Sequence, residues 1–197
     1  MAFKRLGVAG YMGAGKSTAA RLLAPAAGQG GQVIIDADKE AKLFMIADPA
    51  VRLKLVTEFG GSIIEKNGLS FSALGRIVFC SHEKLLKLNA IVHPPFVQHL
   101  CGLLQQCRSH TVVLDAALLP LWRIESLFDT CLWVHAPFET RLDRLLRSRS
   151  DLDESSLLNR MRRQEEILRI PEGLPWITVE NRGSVEHLAE TLGTLCP

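Results

Sequence analysis

The sequence has almost no excess charge of either sign, with 23 Lys and Arg against 21 Asp and Glu, a net of +2. That balance leaves no electrostatic footprint for nucleic acid or an anionic membrane. Cysteine is sparse and unorganised: Cys80, Cys101, Cys107, Cys131 and Cys196 are odd in number and form no CxxC pair. Neither a disulfide framework nor a zinc site is predicted, and reduced thiols in the cytoplasm are expected. No run approaches the roughly 18 uncharged apolar residues of a membrane span. The basic Lys4-Arg5 start mimics a signal peptide only until Gly13, Gly15 and Lys16 interrupt it. Internal repeats, low-complexity tracts and His-x-x-x-His pairs are also missing, so a metal held by protein ligands alone is not expected.

What remains is the composition of a globular protein. The 197 residues are 47% hydrophobic and 22% charged, with 15 Gly and 9 Pro, which excludes disorder and collagen-like repetition. The length predicts a single domain over 1–197. Apolar runs at Leu6 to Ala9, Val33 to Ile35, Thr111 to Leu114, Cys131 to His135 and Trp176 to Val179 read as buried strands separated by helices. The expected fold is α/β, a doubly wound parallel sheet of about five strands. Gly28 to Gly31 reads as a turn, after a first helix that Pro25 helps to end. From Asp48 to Arg108 helical periodicity replaces the alternation, and His93-Pro94-Pro95 is expected to mark a helix boundary there. A helical insertion over 48–110 is a place for a second substrate.

The chemistry begins at Gly10-Tyr11-Met12-Gly13-Ala14-Gly15-Lys16-Ser17, which satisfies GxxxxGKS directly after the first strand and opens the first helix. Gly13, Ala14 and Gly15 let successive N–H groups turn inward to cradle phosphate oxygens. The helix N-terminus adds its positive dipole end. Lys16 supplies an ammonium for the β- and γ-phosphates, Ser17 a hydroxyl for Mg²⁺, and Thr18 a further phosphate donor. Motif and context together predict a nucleoside triphosphate site. The second strand ends in Asp36-Ala37-Asp38, which a parallel crossover should bring to the rim carrying the loop. Read as extended chain, Asp36 and Asp38 point to one side, and either is a candidate proton acceptor or Mg²⁺ organiser. Asp38 also suits a helix N-cap. Asp115, ending another strand, is a second acidic terminus.

Eight arginines lie between 141 and 169, against six acids. Arg141, Arg144 and Arg147 recur every third residue on a helix opened by Pro137, and Arg160 sits on the next helix. Arg141, Arg144 and Arg147 are predicted to share one broad face. A helical pair over 139–169, joined by Ser150 to Asp153, reads as a lid that excludes water, with one or two arginines on phosphate. The others fit a solvated, salt-bridged surface. The sequence has no Asn-Lys-x-Asp segment, which counts against a GTPase.

Together these segments resemble the dephospho-CoA kinase family over nearly the whole chain. The likeness rests on Gly10 to Thr18, on Val33 to Asp38, on Phe59-Gly60, and on Leu88-Asn89-Ala90-Ile91-Val92-His93-Pro94. The Arg144 helix, Arg160 with Gln164, and Asn181-Arg182-Gly183-Ser184 also fit. The resemblance implies ATP-dependent phosphorylation of the ribose 3′-hydroxyl of dephospho-CoA, with Mg²⁺ and ATP and with no nucleic-acid or membrane partner. It implies Asp38 rather than Asp36 near the acceptor hydroxyl, Arg144 as the lid arginine, and His93 facing CoA. Asp36 and Arg160 would join His93 on the substrate side, and Asn181 with Arg182 would border the adenine. A kinase for another small acceptor, such as a nucleoside, and a non-catalytic nucleotide switch are the competing expectations. Three segments depart from the family pattern. Tyr11 replaces a usual glycine, Ala117 and Leu121 fall where the family reads the proline and glutamate of Pro-Leu-Leu-Phe-Glu, and Trp176 replaces a polar residue.

Overall fold

The computed structural model describes residues 4–24, 32–66, 68–107, 111–148, 153–170 and 176–195. Pro25, the expected Gly28–Gly31 turn, Arg149, residues 150–152 of the helix joint and Cys196 lie outside these. In chain order the elements begin with β1 (Lys4–Gly10), α1 (Lys16–Leu23), β2 (Gln32–Asp36), α2 (Ala37–Ala47) and α3 (Pro49–Phe59). Then come β3 (Ile64–Glu65), β4 (Gly68–Leu69), α4 (Phe71–Phe79), α5 (His82–Gln106), β5 (Thr111–Asp115) and α6 (Leu119–Trp122). The chain closes with β6 (Thr130–His135), α7 (Phe138–Ser148), α8 (Glu154–Ile167), β7 (Trp176–Glu180) and α9 (Val185–Leu195). Two compact units result, one from residues 1–36 with 107–197 and the other from 37–106.

The first unit is built on a five-stranded sheet in the order β2-β5-β1-β6-β7, every pairing parallel. The three central strands, β1, β5 and β6, are buried over most of their length, as strands of a parallel sheet usually are. Leu6, Val8, Val113, Leu132, Val134 and Val179 are buried with Ala19 and Ala20 of α1 and Leu188 and Leu192 of α9. The small alanines let α1 lie close to the sheet. β1 has β5 on one side and β6 on the other, so strand order diverges around it. Ligands of open α/β sheets bind at such a switch point, beyond the carboxyl ends of the strands.

The second unit is helical, with a short antiparallel β3-β4 hairpin that periodicity did not reveal. It starts at Ala37, earlier than the expected 48, because α2 packs with α3 and α5. The expected boundary at His93-Pro94-Pro95 is corrected: α5 runs unbroken for 25 residues with both prolines inside. Each proline removes a helical hydrogen bond at a cost of ~3 kcal/mol or more. Offsetting this, Val92, Phe96, Leu100 and Leu104 form a buried stripe at four-residue spacing that crosses the prolines. Each such side chain contributes about 1.5–3 kcal/mol on burial, and Phe96 lies 5.7 Å from the Phe44 ring of α2. Tertiary burial therefore outweighs the local signal.

A second correction concerns the acidic pair. The strand stops at Asp36 and α2 starts at Ala37, so Asp38 stands in the first helical turn. It is neither on an extended segment beside Asp36 nor the residue before the helix. As a first-turn acid it is favoured by the helix dipole.

Core packing has a direct check. Leu132→Ala, in the fully buried centre of β6, is expected to lose about 2–5 kcal/mol in chemical denaturation. Leu146→Ala, 41% exposed on α7, should stay within ~0.5 kcal/mol of the parent.

Candidate active site

The phosphate loop leaves β1 and enters α1 through Gly15, which has φ 97°. A side chain there would be strained and would also strike Asn181 Nδ2. Gly13, at φ 76°, is equally constrained, since a Cβ would come to 2.7 Å from the Arg141 carbonyl oxygen. α3, α4 and α8 are capped by the Asp48, Ser70 and Asp153 side chains. The three-bond cap on α8 holds the Asp153 carboxyl well below the usual range, with the Ser155 and Ser156 hydroxyls the largest causes. α1 has no side-chain cap and no acid in its first turn. Its first N–H groups are therefore directed at the loop, where an anion satisfies both them and the dipole.

Several side chains converge on this loop. The Lys16 ammonium donates to the Tyr11 carbonyl at 3.2 Å. Ser17 Oγ donates to an Asp115 carboxylate oxygen at 2.5 Å, and Asp36 is aligned with Asp115 across the β2-β5 pairing. Asn181 is buried, and its amide donates to the Ala14 carbonyl at 2.7 Å. Arg144 Nη1 donates to the Gly13 carbonyl at 3.4 Å, while Nη2 reaches the Asn181 carbonyl at 3.0 Å and the Gly183 carbonyl at 3.5 Å. Tyr11 donates its hydroxyl to the Leu168 carbonyl at 3.0 Å. Burial, then Glu165, pushes that phenol above its ordinary value, against the pull of Arg141 and Arg169.

The arginines do not share one face. Arg141 is buried and ion-paired with Glu165, Arg144 lies on the loop carbonyls, and Arg147 is exposed and paired with Asp143 at 2.8 Å. Steps of three residues rotate a helix back by about 60° each, which fans the three apart. Arg160 is half-buried on α8. Arg182 turns to Glu180 at 2.9 Å on the surface. Thr18 is half-buried and within 3.4 Å of Arg21.

Asp38 and His93 belong to the second unit. Asp38 is exposed on α2. His93 is half-buried on α5, and burial lowers its pKa from the usual 6.5. Sequence reasoning missed the neighbouring pair in which His99 meets Glu40 at 2.8 Å beside the Phe44 ring. It also missed the role of Glu165. Both pairs join residues far apart in sequence, and neither belongs to a recognisable spacing.

No group of three or more His, Cys, Asp or Glu could hold a metal among the described residues. Mg²⁺ does not require such a cage, since it takes one or two protein oxygens and completes its shell with phosphates and water. The Ser17 hydroxyl and Asp115 carboxylate are hard oxygen donors side by side, and they fit that need.

A parallel sheet, a GxxxxGKS loop at its switch point and arginines brought to that loop define a P-loop kinase. The family model described as dephospho-CoA kinase matches residues 5–170. A curated dephospho-CoA kinase of Carboxydothermus hydrogenoformans is 32% identical, covering 96% of this chain and 91% of its own. That of Deinococcus radiodurans is 35% identical, over 94% and 87%. Among solved structures, a Thermus thermophilus protein is 30% identical with a TM-score of 0.71, covering 99% of this chain and 97% of its own. The chain belongs to the dephospho-CoA kinase family. No helix among the described residues is long and apolar enough to cross a membrane.

Two measurements test the site's physics. Gly15→Ala is expected to weaken ADP binding by about tenfold or more in calorimetry, because the loop cannot keep its curl. The depressed His93 pKa makes the unfolded chain bind a proton first, so His93 stabilises the fold fully above about pH 6.5 and less as pH falls below it. His93→Gln should flatten that part of the stability–pH profile.

Proposed function

We propose that this chain transfers the γ-phosphoryl group of ATP to the ribose 3′-hydroxyl of dephospho-CoA, giving CoA and ADP. The observation that carries the reading is the uncapped start of α1 behind a GxxxxGKS loop, with Lys16, Ser17 and Asp115 gathered there, in a chain of this family. Gly13 to Thr18 bind the phosphates through backbone N–H groups and hydroxyls. Lys16 holds the β- and γ-phosphates as charge shifts toward the leaving oxygen. Ser17 and Asp115 would hold Mg²⁺, which when bound would supply positive charge to offset that of the phosphates.

Asp38 accepts the proton of the attacking 3′-hydroxyl, which leaves an oxygen able to displace ADP. Arg144 supplies positive charge at the loop edge and holds the Asn181–Gly183 segment, with Asn181 and Arg182 beside the adenine. Asp36, His93 and Arg160 serve the acceptor, which the helical lobe over 48–110 receives. The arginine lid over 139–169 keeps water from the γ-phosphate. The setting is cytoplasmic. In support, the four described cysteines, Cys80, Cys101, Cys107 and Cys131, are all free thiols.

The test offers Mg·ATP with dephospho-CoA, with a set of nucleosides, or with no acceptor, and follows ADP and product. ADP release should require dephospho-CoA. Release driven by a nucleoside would identify a different kinase, and equal release without acceptor would contradict a kinase altogether. Asp38→Asn is expected to cut turnover by roughly 10²–10⁴-fold, the range for a lost general base, with ADP binding retained.

A further inference from the structure

The loop motif leaves its second position open to any residue, and here that position holds the only tyrosine of the chain. We propose that Tyr11 is a positioning residue that fastens the C-terminal end of α8 to the phosphate loop and fixes the seat of the Lys16 ammonium.

The ring is held at three points. It meets Trp133 edge to face, with centroids 5.0 Å apart at 85°. The Arg141 guanidinium lies over it at 4.8 Å. The hydroxyl is bonded to the carbonyl of Leu168, the residue that ends α8. Two further bonds join the same stretch to the same place: the Met12 N–H donates to Gln164 Oε1 at 2.6 Å, and Arg141 pairs with Glu165. Gln164, Glu165 and Leu168 thus tie the last turn of α8 to the loop and to α7.

The Tyr11 backbone carries the other half of the device. Its carbonyl accepts the Ala14 N–H at 3.1 Å and the Lys16 ammonium at 3.2 Å. A ring that cannot turn keeps this carbonyl, and hence the ammonium, beside the phosphate nest. Phosphate oxygens, carrying full charge, draw the ammonium from a neutral carbonyl. The Ala14 N–H then keeps that carbonyl paired. Arg141 depends on the ring in turn. It is buried, its Nη1 has no hydrogen-bond partner among the described residues, and besides the Glu165 pair and the Ala136 carbonyl its guanidinium rests on the faces of Tyr11 and Phe138.

Tyr11→Phe keeps the ring and removes only the bond to Leu168, whereas Tyr11→Ala removes both. ADP release without acceptor reads water reaching the γ-phosphate, and release with dephospho-CoA reads transfer; this second readout alone rests on the proposed function. The ratio of the first to the second is expected to rise about threefold in Tyr11→Phe, the worth of one hydrogen bond. In Tyr11→Ala it should rise about tenfold or more. ADP affinity in Tyr11→Phe should stay within about twofold, since the phosphate N–H groups are untouched. A Tyr11→Phe ratio within about 1.5-fold of the parent, well below one hydrogen bond's effect, overturns the proposal whether or not Tyr11→Ala folds. Should the parent show no release dependent on dephospho-CoA, the function reading fails instead. The acceptor-free rate then decides for Tyr11: a rise in Tyr11→Phe sustains its role and no change overturns it.

Discussion

Everything at the nucleotide site follows from a helix N-terminus that the protein leaves without a side-chain cap. Three other helices close their N-termini with Asp48, Ser70 or Asp153, whereas α1 begins at a left-handed Gly15 with no side-chain cap. An open end of this kind is useful only if the loop before it is already curled. Ordering backbone costs roughly 1–2 kcal/mol per residue, and a typical hydrogen bond returns about 0.5–1.5 kcal/mol. The Asn181, Arg144 and Tyr11 bonds cannot hold the loop alone. The buried strand before it and the alanine-rich face of α1 after it carry most of that cost, and the bonds choose which curl is adopted.

One residue type does three different jobs on α7. Arg141 is a buried strut between rings and Glu165, Arg144 bridges the loop to the segment after β7, and Arg147 forms an exposed pair with Asp143. Helical phase assigns these jobs. An exposed pair such as the last is worth little. Removing the partner of a buried charge is far more costly, so the Glu165 carboxylate matters to the loop through the Arg141 it pairs with.

The five strands and the loop were legible because their signals are local: continuous apolar runs, and glycines at fixed spacing before Lys16. The start of α2 was not. Asp36-Ala37-Asp38 reads equally well as strand or turn, and the change to helix immediately after Asp36 depends on what α2 packs against. The prolines of α5 misled for a related reason, since a stripe from Val92 to Leu104 outweighed a local rule. At the site, Lys16, Ser17 and Asp115 were readable from motif and strand ends, and Asn181 only through family resemblance. The Tyr11 bond to Leu168 spans 157 positions, and no periodicity records a contact of that range.

The central claim is that the loop stands in its phosphate-binding curl before any nucleotide arrives. Amide hydrogen exchange on the nucleotide-free protein tests it at Met12 and Ala14, whose N–H groups are bonded to Gln164 Oε1 and the Tyr11 carbonyl. Both amides should exchange about 100-fold or more slowly than in an unfolded chain. Exchange at the unfolded rate until ADP is added would contradict the account.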